Sequence, residues 1–293
     1  MNYIEPLYRP PSEARSLILQ ITNGCSYNRC TFCSMYQAPQ KRFRVKPEQE
    51  IRAEIVRSAQ RLPSVRRIFL ADGDAMALSV RRLEQVLDCI NAHWPEIQRV
   101  AAYCLPRNLN NKSLEALATL RAKGLGLVYV GVESGDDEVL QRVRKGETYA
   151  STLAALEKLK AAGIKASVMV LNGLGGRLLS HQHALNSARL VSAAQPEYLS
   201  TLVLTLEPGD NRFQEGFRGD FSPLNPRELF EETAQFLHHL ELEQTIFRSD
   251  HASNYLALKG VLGRDKAKLL DQVQWAISAP EQAPLRPEWA RGF

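Results

Sequence analysis

Short apolar runs rich in β-branched residues alternate along this chain with segments of helical period. The apolar runs predict strands at residues 16–22, 67–71, 100–105, 127–133, 165–171 and 198–206. The periodic segments predict helices at residues 47–62, 80–93, 112–122, 149–162 and 180–194. This alternation is typical of βα units and a parallel sheet. Six such units either close most of a barrel or form an open doubly wound sheet, and periodicity alone does not choose between them.

The pattern changes after Glu207. A turn is predicted at Pro208 and Gly209, a helix within residues 225–242, and a polar segment at residues 245–260. We therefore predict a catalytic domain over residues 1–210 and a C-terminal helical extension over residues 211–293 that packs on it. The proline-rich end after Ala279 is expected to be loosely ordered.

Composition and charge narrow the function classes. With 293 residues and 44% hydrophobic content, the chain can bury a full core. The net charge of +5 is spread along the chain, so a nucleic-acid partner is possible but not indicated. No apolar run approaches the ~18 residues of a membrane span, and the first twenty residues contain Glu5 and Glu13, unlike a signal peptide. We expect a cytoplasmic protein without a membrane partner.

Three of the five cysteines, Cys25, Cys30 and Cys33, lie within nine residues just after the first predicted strand. Such crowding in a cytosolic chain points to metal rather than to a disulfide framework. A structural zinc site takes four ligands, whereas a [4Fe-4S] cluster held by three cysteines leaves one iron open to a small molecule. An iron-sulfur cluster, a zinc site completed by a distant histidine, and unliganded thiols all remain open from the spacing.

The cysteine loop, with Phe32 directly before the last cysteine, resembles the radical S-adenosylmethionine superfamily. The resemblance is strongest to the branch of oxygen-independent coproporphyrinogen oxidase, the elongator catalytic subunit and the methylthiotransferases. That branch has three residues between its first two cysteines, whereas this chain has four between Cys25 and Cys30. The resemblance implies that Cys25, Cys30 and Cys33 ligate a [4Fe-4S] cluster.

Three further motifs in the same order extend the resemblance. Residues 71–74 (ADGD) resemble the motif that holds the amino group of S-adenosylmethionine, which implies cofactor contacts for Asp72, Gly73 and Asp74. Residues 130–135 (VGVESG) resemble the GVESG sequence of that branch. Residues 171–176 (LNGLGG) form a glycine-rich turn through which the backbone can approach an adenine. The stretch at residues 207–209 (EPG) is also similar.

The VGVESG and LNGLGG motifs imply further cofactor contacts, from Glu133, Ser134, Asn172 and Gly173. A cation shortly after GVESG could pair with the carboxylate of S-adenosylmethionine, and Arg144 is the residue expected there. The neighbouring Lys145 is interpreted as part of a solvated helix end.

The resemblance implies a partial (β/α)6 TIM-type barrel and an enzyme that uses a [4Fe-4S] cluster to cleave S-adenosylmethionine reductively. The resulting 5′-deoxyadenosyl radical would act on a small-molecule substrate that the sequence does not identify. The electron would come from a donor such as flavodoxin or ferredoxin. Two alternatives stay open: a radical enzyme that modifies tRNA or another nucleic acid, and a zinc-stabilised binding protein without enzymatic activity.

Other polar residues are candidates for the substrate or cofactor site. Arg107 and Asn108 follow the third predicted strand, where either a cofactor contact or an ordinary loop is expected. His251 lies in the polar segment and is the candidate catalytic acid or base, because its charge changes near neutral pH. The alternative for this segment is a polar loop in which Ser253 or Asn254 caps a following helix. We expect His183 to be solvated or to cap a helix.

Overall fold

The protein has an α/β fold with a mostly parallel sheet, seen in a computed structural model that describes residues 2–206 and 211–292. Its strands are β1 (Leu17–Gln20), β2 (Thr22–Asn23), β3 (Arg44–Val45), β4 (Arg67–Ala71), β5 (Arg99–Tyr103), β6 (Leu125–Glu133), β7 (Lys165–Asn172), β8 (Tyr198–Val203), β9 (Ile246–Ser249) and β10 (Leu258–Val261). Its helices are α1 (Glu48–Arg61), α2 (Val80–His93), α3 (Leu114–Ala122), α4 (Asp137–Arg142), α5 (Tyr149–Ala161), α6 (Gly176–Ala194), α7 (Arg212–Gly216), α8 (Pro226–His239) and α9 (Lys266–Ser278).

Eight strands form one sheet in the order β1-β4-β5-β6-β7-β8-β9-β10, and β2 and β3 form a separate two-stranded sheet. The chain divides into two compact units. Unit 1 comprises Met1–Asn28, Cys33–Val130 and Ala155–Ala166, and unit 2 comprises Arg29–Phe32, Gly131–Ala154 and Ser167–Phe293. No helix within the described residues has both the length and the apolar character needed to cross a membrane.

In unit 1, strands β1, β4 and β5 pair in parallel, with Leu19 opposite Leu70 and Leu70 opposite Ala102. Strand β4 is buried from Ile68 to Ala71, which explains its continuous apolar run. Helix α2 begins where the Ser79 hydroxyl accepts a hydrogen bond from the Arg82 N–H. Of these strands, β1 ends shortly before the cysteine loop, and β4 ends directly before Asp72.

In unit 2, strands β7, β8 and β9 are parallel, and β10 pairs antiparallel with β9. Helices α6 and α8 pack against each other. Helix α8 begins with a capping box, in which Asn225 and Glu228 each accept a hydrogen bond from the other's backbone N–H. Phe213, Phe217 and Phe221 form a compact aromatic cluster that fills part of the core of this unit.

The predicted elements are largely confirmed, and β4 and α2 have the predicted bounds. The C-terminal segment differs, because it contains strands β9 and β10 as well as helices, and a strand rather than a helix follows Ser253 and Asn254. The expectation of a loosely ordered end was wrong, since Arg286 and Arg291 there donate hydrogen bonds to the carbonyls of residues 250–254. The predicted motif at residues 207–209 lies outside the described residues.

Candidate functional site

The cysteine loop connects β2 to β3, whose antiparallel pairing sets Thr22 opposite Val45 and Asn23 opposite Arg44. The side-chain amide of Asn23 donates hydrogen bonds to the carbonyls of Gln40 at 2.7 Å and of Arg42 at 3.0 Å. Gly24 has a φ of +69°, and a Cβ there would lie 2.0 Å from the Lys41 carbonyl oxygen. The two ends of the loop are therefore held together by tight backbone contacts that only glycine at position 24 permits.

The predicted cluster ligands Cys25, Cys30 and Cys33 are each partly buried, and none forms a disulfide. Cys25 and Cys33 belong to unit 1, and Cys30 belongs to unit 2. Thr31, next to Cys30, donates its N–H to the Val143 carbonyl at 3.0 Å within unit 2. That they ligate a cluster stays a prediction.

Asp72 follows β4 and has no exposed side-chain surface. It forms an ion pair with the equally buried Lys41, whose ammonium also donates to the Ile4 carbonyl at 2.9 Å. The Gly24 N–H donates to the same carboxylate oxygen at 3.4 Å. Burial raises the pKa of Asp72, and the hydrogen bond and charge of Lys41 offset only part of that effect. Asp72 thus already has an ammonium partner from its own chain.

Asp74, the second carboxylate of the ADGD motif, is also fully buried. Its Oδ2 accepts hydrogen bonds from the Ser26 hydroxyl and from the Asn108 side-chain amide, the latter at 3.4 Å. Its Oδ1 has no hydrogen-bond partner, and burial raises the pKa of this carboxyl. Gly73 between the two carboxylates is required sterically, since a Cβ there would lie 2.4 Å from the Tyr36 ring. Asp74 therefore has one oxygen committed to the protein and one left over.

Glu133 ends β6 with a φ of +63°, in the left-handed region that residues other than glycine rarely adopt. Its side chain is buried, and Lys145 donates to its Oε1 at 3.0 Å. Its Oε2 has no hydrogen-bond partner. Gly131 makes room for this pair, because a Cβ there would lie 2.1 Å from Oε1. The expectation that Lys145 is part of a solvated helix end was wrong, since its side chain is 5% exposed.

Ser134 and His183 form the centre of a buried network in unit 2. The Ser134 Oγ lies 2.8 Å from His183 Nδ1, and His183 Nε2 donates to the Leu171 carbonyl at 3.0 Å. In the neutral ring this leaves Nδ1 to accept from the Ser134 hydroxyl. The expectation of a solvated or capping His183 was wrong, because the residue is 1% exposed and connects the ends of β6 and β7.

The glycine-rich turn after β7 is fixed by helix α8. The Gly173 N–H donates to Glu232 Oε1 at 2.6 Å, and the Asn172 amide donates to the Thr233 hydroxyl at 3.0 Å. Glu232 also accepts from the Ser180 hydroxyl at 2.6 Å. Burial raises the pKa of Glu232. The structure thus brings Ser134, Asn172 and Gly173 into one buried network through His183 and helix α8.

Arg144 and His251 lie apart from this network. Arg144 has a φ of +51° and its guanidinium lies 3.8 Å from Glu215 on the surface. His251 follows β9, and its Nδ1 accepts a hydrogen bond from the Ser253 N–H at 3.1 Å. Burial lowers the pKa of His251, the nearby Arg286 lowers it further, and Asp250 offsets part of both effects. In the neutral ring Nε2 therefore carries the proton and can donate a hydrogen bond.

Sequence reasoning missed three residues of the site: Lys41, His183 and Glu232. Lys41 and Asp72 are 31 positions apart, and Ser134 and His183 are 49 apart. One signal was available for His183 and Glu232, because each falls on the apolar face of an amphipathic helix, where a polar residue needs a buried partner. No comparable local signal marks Lys41.

The donor set fits an iron-sulfur cluster with S-adenosylmethionine. Within the described ranges, 2–206 and 211–292, no group of three or more His, Cys, Asp or Glu side chains is arranged to hold a single metal ion. A [4Fe-4S] cluster makes a different demand, because each cysteine ligates a separate iron. The buried, unpartnered oxygens of Asp72, Asp74 and Glu133 suit an ammonium or hydroxyl donor such as S-adenosylmethionine offers.

Comparison with known proteins decides the family. The model of the radical SAM superfamily matches residues 19–191, more than half of the chain. The chain belongs to the radical SAM superfamily. Members of this superfamily use a [4Fe-4S] cluster and S-adenosylmethionine, so the membership favours the iron-sulfur alternative over the zinc alternative.

Two curated relatives share part of their length with this radical SAM protein. The heme chaperone HemW of Bacillus subtilis (strain 168) is 26% identical over 163 residues, which cover 55% of this chain and 42% of HemW. The 4'-phospho-dehydrooxetanocin synthase of Priestia megaterium is 24% identical over 164 residues, which cover 51% of this chain and 22% of the synthase. The chain thus spans less than half the length of either relative.

The fold is also similar to solved radical SAM structures. Coproporphyrinogen III oxidase (HemN) from Escherichia coli matches with a TM-score of 0.54 and 17% identity, over 76% of this chain and 52% of that chain. Methylornithine synthase (PylB) matches with a TM-score of 0.52 and 16% identity, over 78% of this chain and 63% of that chain. At these identities the likeness concerns the fold, and it agrees with the expected partial TIM-type barrel.

Proposed function

We propose that this radical SAM protein holds a [4Fe-4S] cluster through Cys25, Cys30 and Cys33 and acts on a small-molecule substrate. When bound, the cluster and S-adenosylmethionine supply one-electron cleavage of the sulfonium bond and a radical that abstracts hydrogen. The electron comes from a protein donor such as flavodoxin or ferredoxin. The chain's own residues orient the cofactor and exclude water from it.

One observation supports this proposal above the others: each motif in the matched region lies at the carboxyl end of its own strand. The cysteine loop follows β1 and β2, ADGD follows β4, GVESG ends β6 and the glycine-rich turn follows β7. In parallel α/β proteins the carboxyl ends of the strands are where ligands bind. The motifs therefore lie at the strand ends where α/β proteins bind their ligands.

Three carboxylates in these motifs differ in what they can still bind. Asp72 Oδ1, Asp74 Oδ1 and Glu133 Oε2 are all buried acceptors without a partner, and we assign those of Asp74 and Glu133 to the amino and hydroxyl groups of S-adenosylmethionine. Asp72 is neutralised by Lys41 and serves to hold the loop. The Gly173 turn is fixed on both sides: its N–H is bound to Glu232, and the carbonyls of Asn172 and Gly173 accept from the N–H groups of Leu204 and Gly176.

His251 is our candidate for proton transfer to or from the substrate. Strand β9 is parallel to β8, so residues 250–255 follow the same end of the strands of unit 2 as Asn172 does. The loop is fixed there by Asn254, which donates to the Thr201 carbonyl at 2.9 Å. A partly buried, neutral imidazole with an available Nε2–H suits a small polar substrate.

The test is anaerobic reconstitution of the purified protein with iron and sulfide, followed by reduction with dithionite in the presence of S-adenosylmethionine. We expect close to four irons per chain and formation of 5′-deoxyadenosine, measured by mass spectrometry. Cys30→Ala should abolish 5′-deoxyadenosine formation. Cys89→Ala, a partly buried cysteine in α2 outside the loop, is the matched control and should retain it. Unaltered turnover in the Cys30→Ala protein would reject the cluster assignment.

A further inference from the structure

The spacer between Cys25 and Cys30 is anchored by its own side chains. It contains four residues, Ser26, Tyr27, Asn28 and Arg29, where the resembling branch has three. A longer spacer gives the loop more conformational freedom, which must be lost again when the loop binds a rigid cluster. The first three of these residues make specific contacts within unit 1, each with a different part of that unit.

Ser26 connects the loop to the end of β4. Its hydroxyl donates to Asp74 Oδ2, and the Asn108 amide donates to the same oxygen at 3.4 Å. Asn108 is itself fixed, since its Oδ1 accepts from the Leu105 N–H at 2.6 Å. A hydrogen bond to a buried carboxylate is among the stronger ones in proteins. Ser26 therefore stands next to Cys25 on a rigid support made by the loops after β4 and β5.

Tyr27 connects the loop to the segment after β5. The guanidinium of Arg107 lies over the Tyr27 ring, 4.0 Å from its centroid, which is within the range of a cation–π contact. Arg107 and Asn108 are neighbours in the short 3-10 helix Pro106–Leu109. Tyr27 is thus held directly by Arg107, and Ser26 is held by Asp74, whose Oδ2 also accepts from the neighbouring Asn108.

Asn28 turns the chain back toward Cys33. Its φ is +43°, a left-handed conformation that asparagine tolerates better than most residues. Its amide donates to the Tyr36 carbonyl at 2.9 Å, and its Oδ1 accepts from the Gln37 amide at 3.1 Å. The additional spacer residue is therefore accommodated in a defined, hydrogen-bonded turn.

We propose that Ser26, Tyr27 and Asn28 are positioning residues that hold the cysteine loop in its binding conformation before the cluster is present. This inference rests on the proposed function, because it assigns the purpose of the anchoring to the cluster. Asp74 then has two roles, with Oδ2 fixing the loop and Oδ1 facing the cofactor. The loops after β4 and β5 determine how well this chain acquires and retains its cluster.

The experiment compares the metal-free and reconstituted forms of Ser26→Ala, Arg107→Ala and Asn28→Gly with wild type. Asn28→Gly keeps the left-handed backbone accessible and removes the side-chain bonds, and it also gives the backbone more conformational freedom. In the metal-free proteins, hydrogen–deuterium exchange of the peptide over residues 24–37 should be about tenfold faster in Ser26→Ala and about threefold faster in Arg107→Ala. In the reconstituted proteins, loss of iron to a chelator should accelerate in the same order.

The controls are Ser64→Ala and Arg61→Ala, which change exposed residues of the same types outside the cysteine loop. Both should behave as wild type in exchange and in iron loss. Exchange in Ser26→Ala and Arg107→Ala equal to that of the controls would overturn the anchoring. If a thermal melt shows that a variant is globally unfolded, Tyr27→Leu is used in its place. This change removes the cation–π contact and keeps the apolar bulk. A wild-type protein that takes up no iron would instead count against the proposed function and leave the exchange result standing.

Discussion

Two buried lysine–carboxylate pairs, one in each unit, differ in how many donors the carboxylate receives. In unit 1, Asp72 Oδ2 accepts hydrogen bonds from the fully buried Lys41 and from the Gly24 N–H, and the lysine also donates to Ile4. In unit 2, Glu133 Oε1 accepts only from Lys145. The second oxygens, Asp72 Oδ1 and Glu133 Oε2, are both buried without a partner. A buried acceptor without a partner costs free energy unless a ligand supplies the missing donor.

Glu133 also has an unusual backbone conformation. Among the described residues with positive φ, Glu133 is the one that ends a strand of the main sheet, at +63°. Strained backbone conformations outside glycine concentrate at functional sites. We therefore propose that Asp72 stabilises the loop through Lys41 and Gly24, and that Glu133 receives its second donor from S-adenosylmethionine.

The largest expected effect is the loss of stability when the unit 1 pair is broken. Lys41→Met leaves Asp72 buried without its cation, so the free energy of unfolding should fall by about 3 to 5 kcal/mol. Urea denaturation of the metal-free protein measures it. Lys259→Met is the control, because Lys259 pairs with Asp250 on the surface and is 61% exposed, so its loss should cost under about 1 kcal/mol. Equal decreases in the free energy of unfolding of the two variants would contradict the structural role of the Lys41–Asp72 pair.

The next effect concerns the affinity for S-adenosylmethionine. Glu133→Gln replaces a charged acceptor by a neutral one, and the dissociation constant should rise by about ten- to a hundredfold, as expected for a hydrogen bond to a charged group. Anaerobic calorimetry on the reconstituted protein measures the constant. Asp72→Asn, compared per folded chain, and the exposed Glu138→Gln should leave it nearly unchanged. A weakening in Asp72→Asn as large as in Glu133→Gln would erase the distinction between the two carboxylates.

The comparison also shows what the sequence could predict. Strand β4 and helix α2 were predicted with their bounds, since their apolar patterns are local and long enough to read. Strand β9 was missed although Phe247 and Ser249 are buried and Arg248 is exposed. Four residues of alternation with a charged residue among them do not stand out from a polar loop.

The candidate site was predictable only to the level of motifs. The glycines and carboxylates of ADGD and GVESG mark strand ends, and that much is local. How each carboxylate is paired depends on Lys41 and Lys145, which are both buried. In the sequence, a buried lysine in a loop cannot be told from a surface lysine. His183 is a similar case, since its partners Ser134 and Leu171 meet it only through the fold.

Glu232 is a buried carboxylate without a lysine partner. It allows the comparison to be extended to the pH dependence of stability. Burial raises its pKa above the ordinary value of 4.5, so the folded protein binds this proton more tightly than the unfolded chain. The stabilisation from this group is complete below pH 4.5 and is lost as pH rises through the folded value. Glu232→Gln removes the titration while keeping acceptors and donors for Gly173 and Ser180.

The unfolding free energy of Glu232→Gln relative to wild type should therefore increase from pH 5 to pH 8, with a slope of at most about 1.4 kcal/mol per pH unit. Denaturant titrations at four pH values measure it. Glu231→Gln, an exposed neighbour paired with Arg227, should show no such trend. A flat difference for Glu232→Gln would mean that burial does not govern this carboxyl.

The smallest effect tests whether Gly131 exists to make room for the Glu133–Lys145 pair. A Cβ at this position would lie 2.1 Å from Glu133 Oε1 and 3.1 Å from Lys145 Nζ, both at the ends of flexible side chains. Gly131→Ala should therefore cost only about 1 kcal/mol, the low end of the cost of overpacking, because the pair can shift. In a Glu133→Ala background the same substitution should cost nothing, and this double-mutant cycle isolates the steric contact. If Gly131→Ala still destabilises the protein when the Glu133 side chain is absent, contact with the carboxylate does not explain the glycine. The backbone of β6 would then require it.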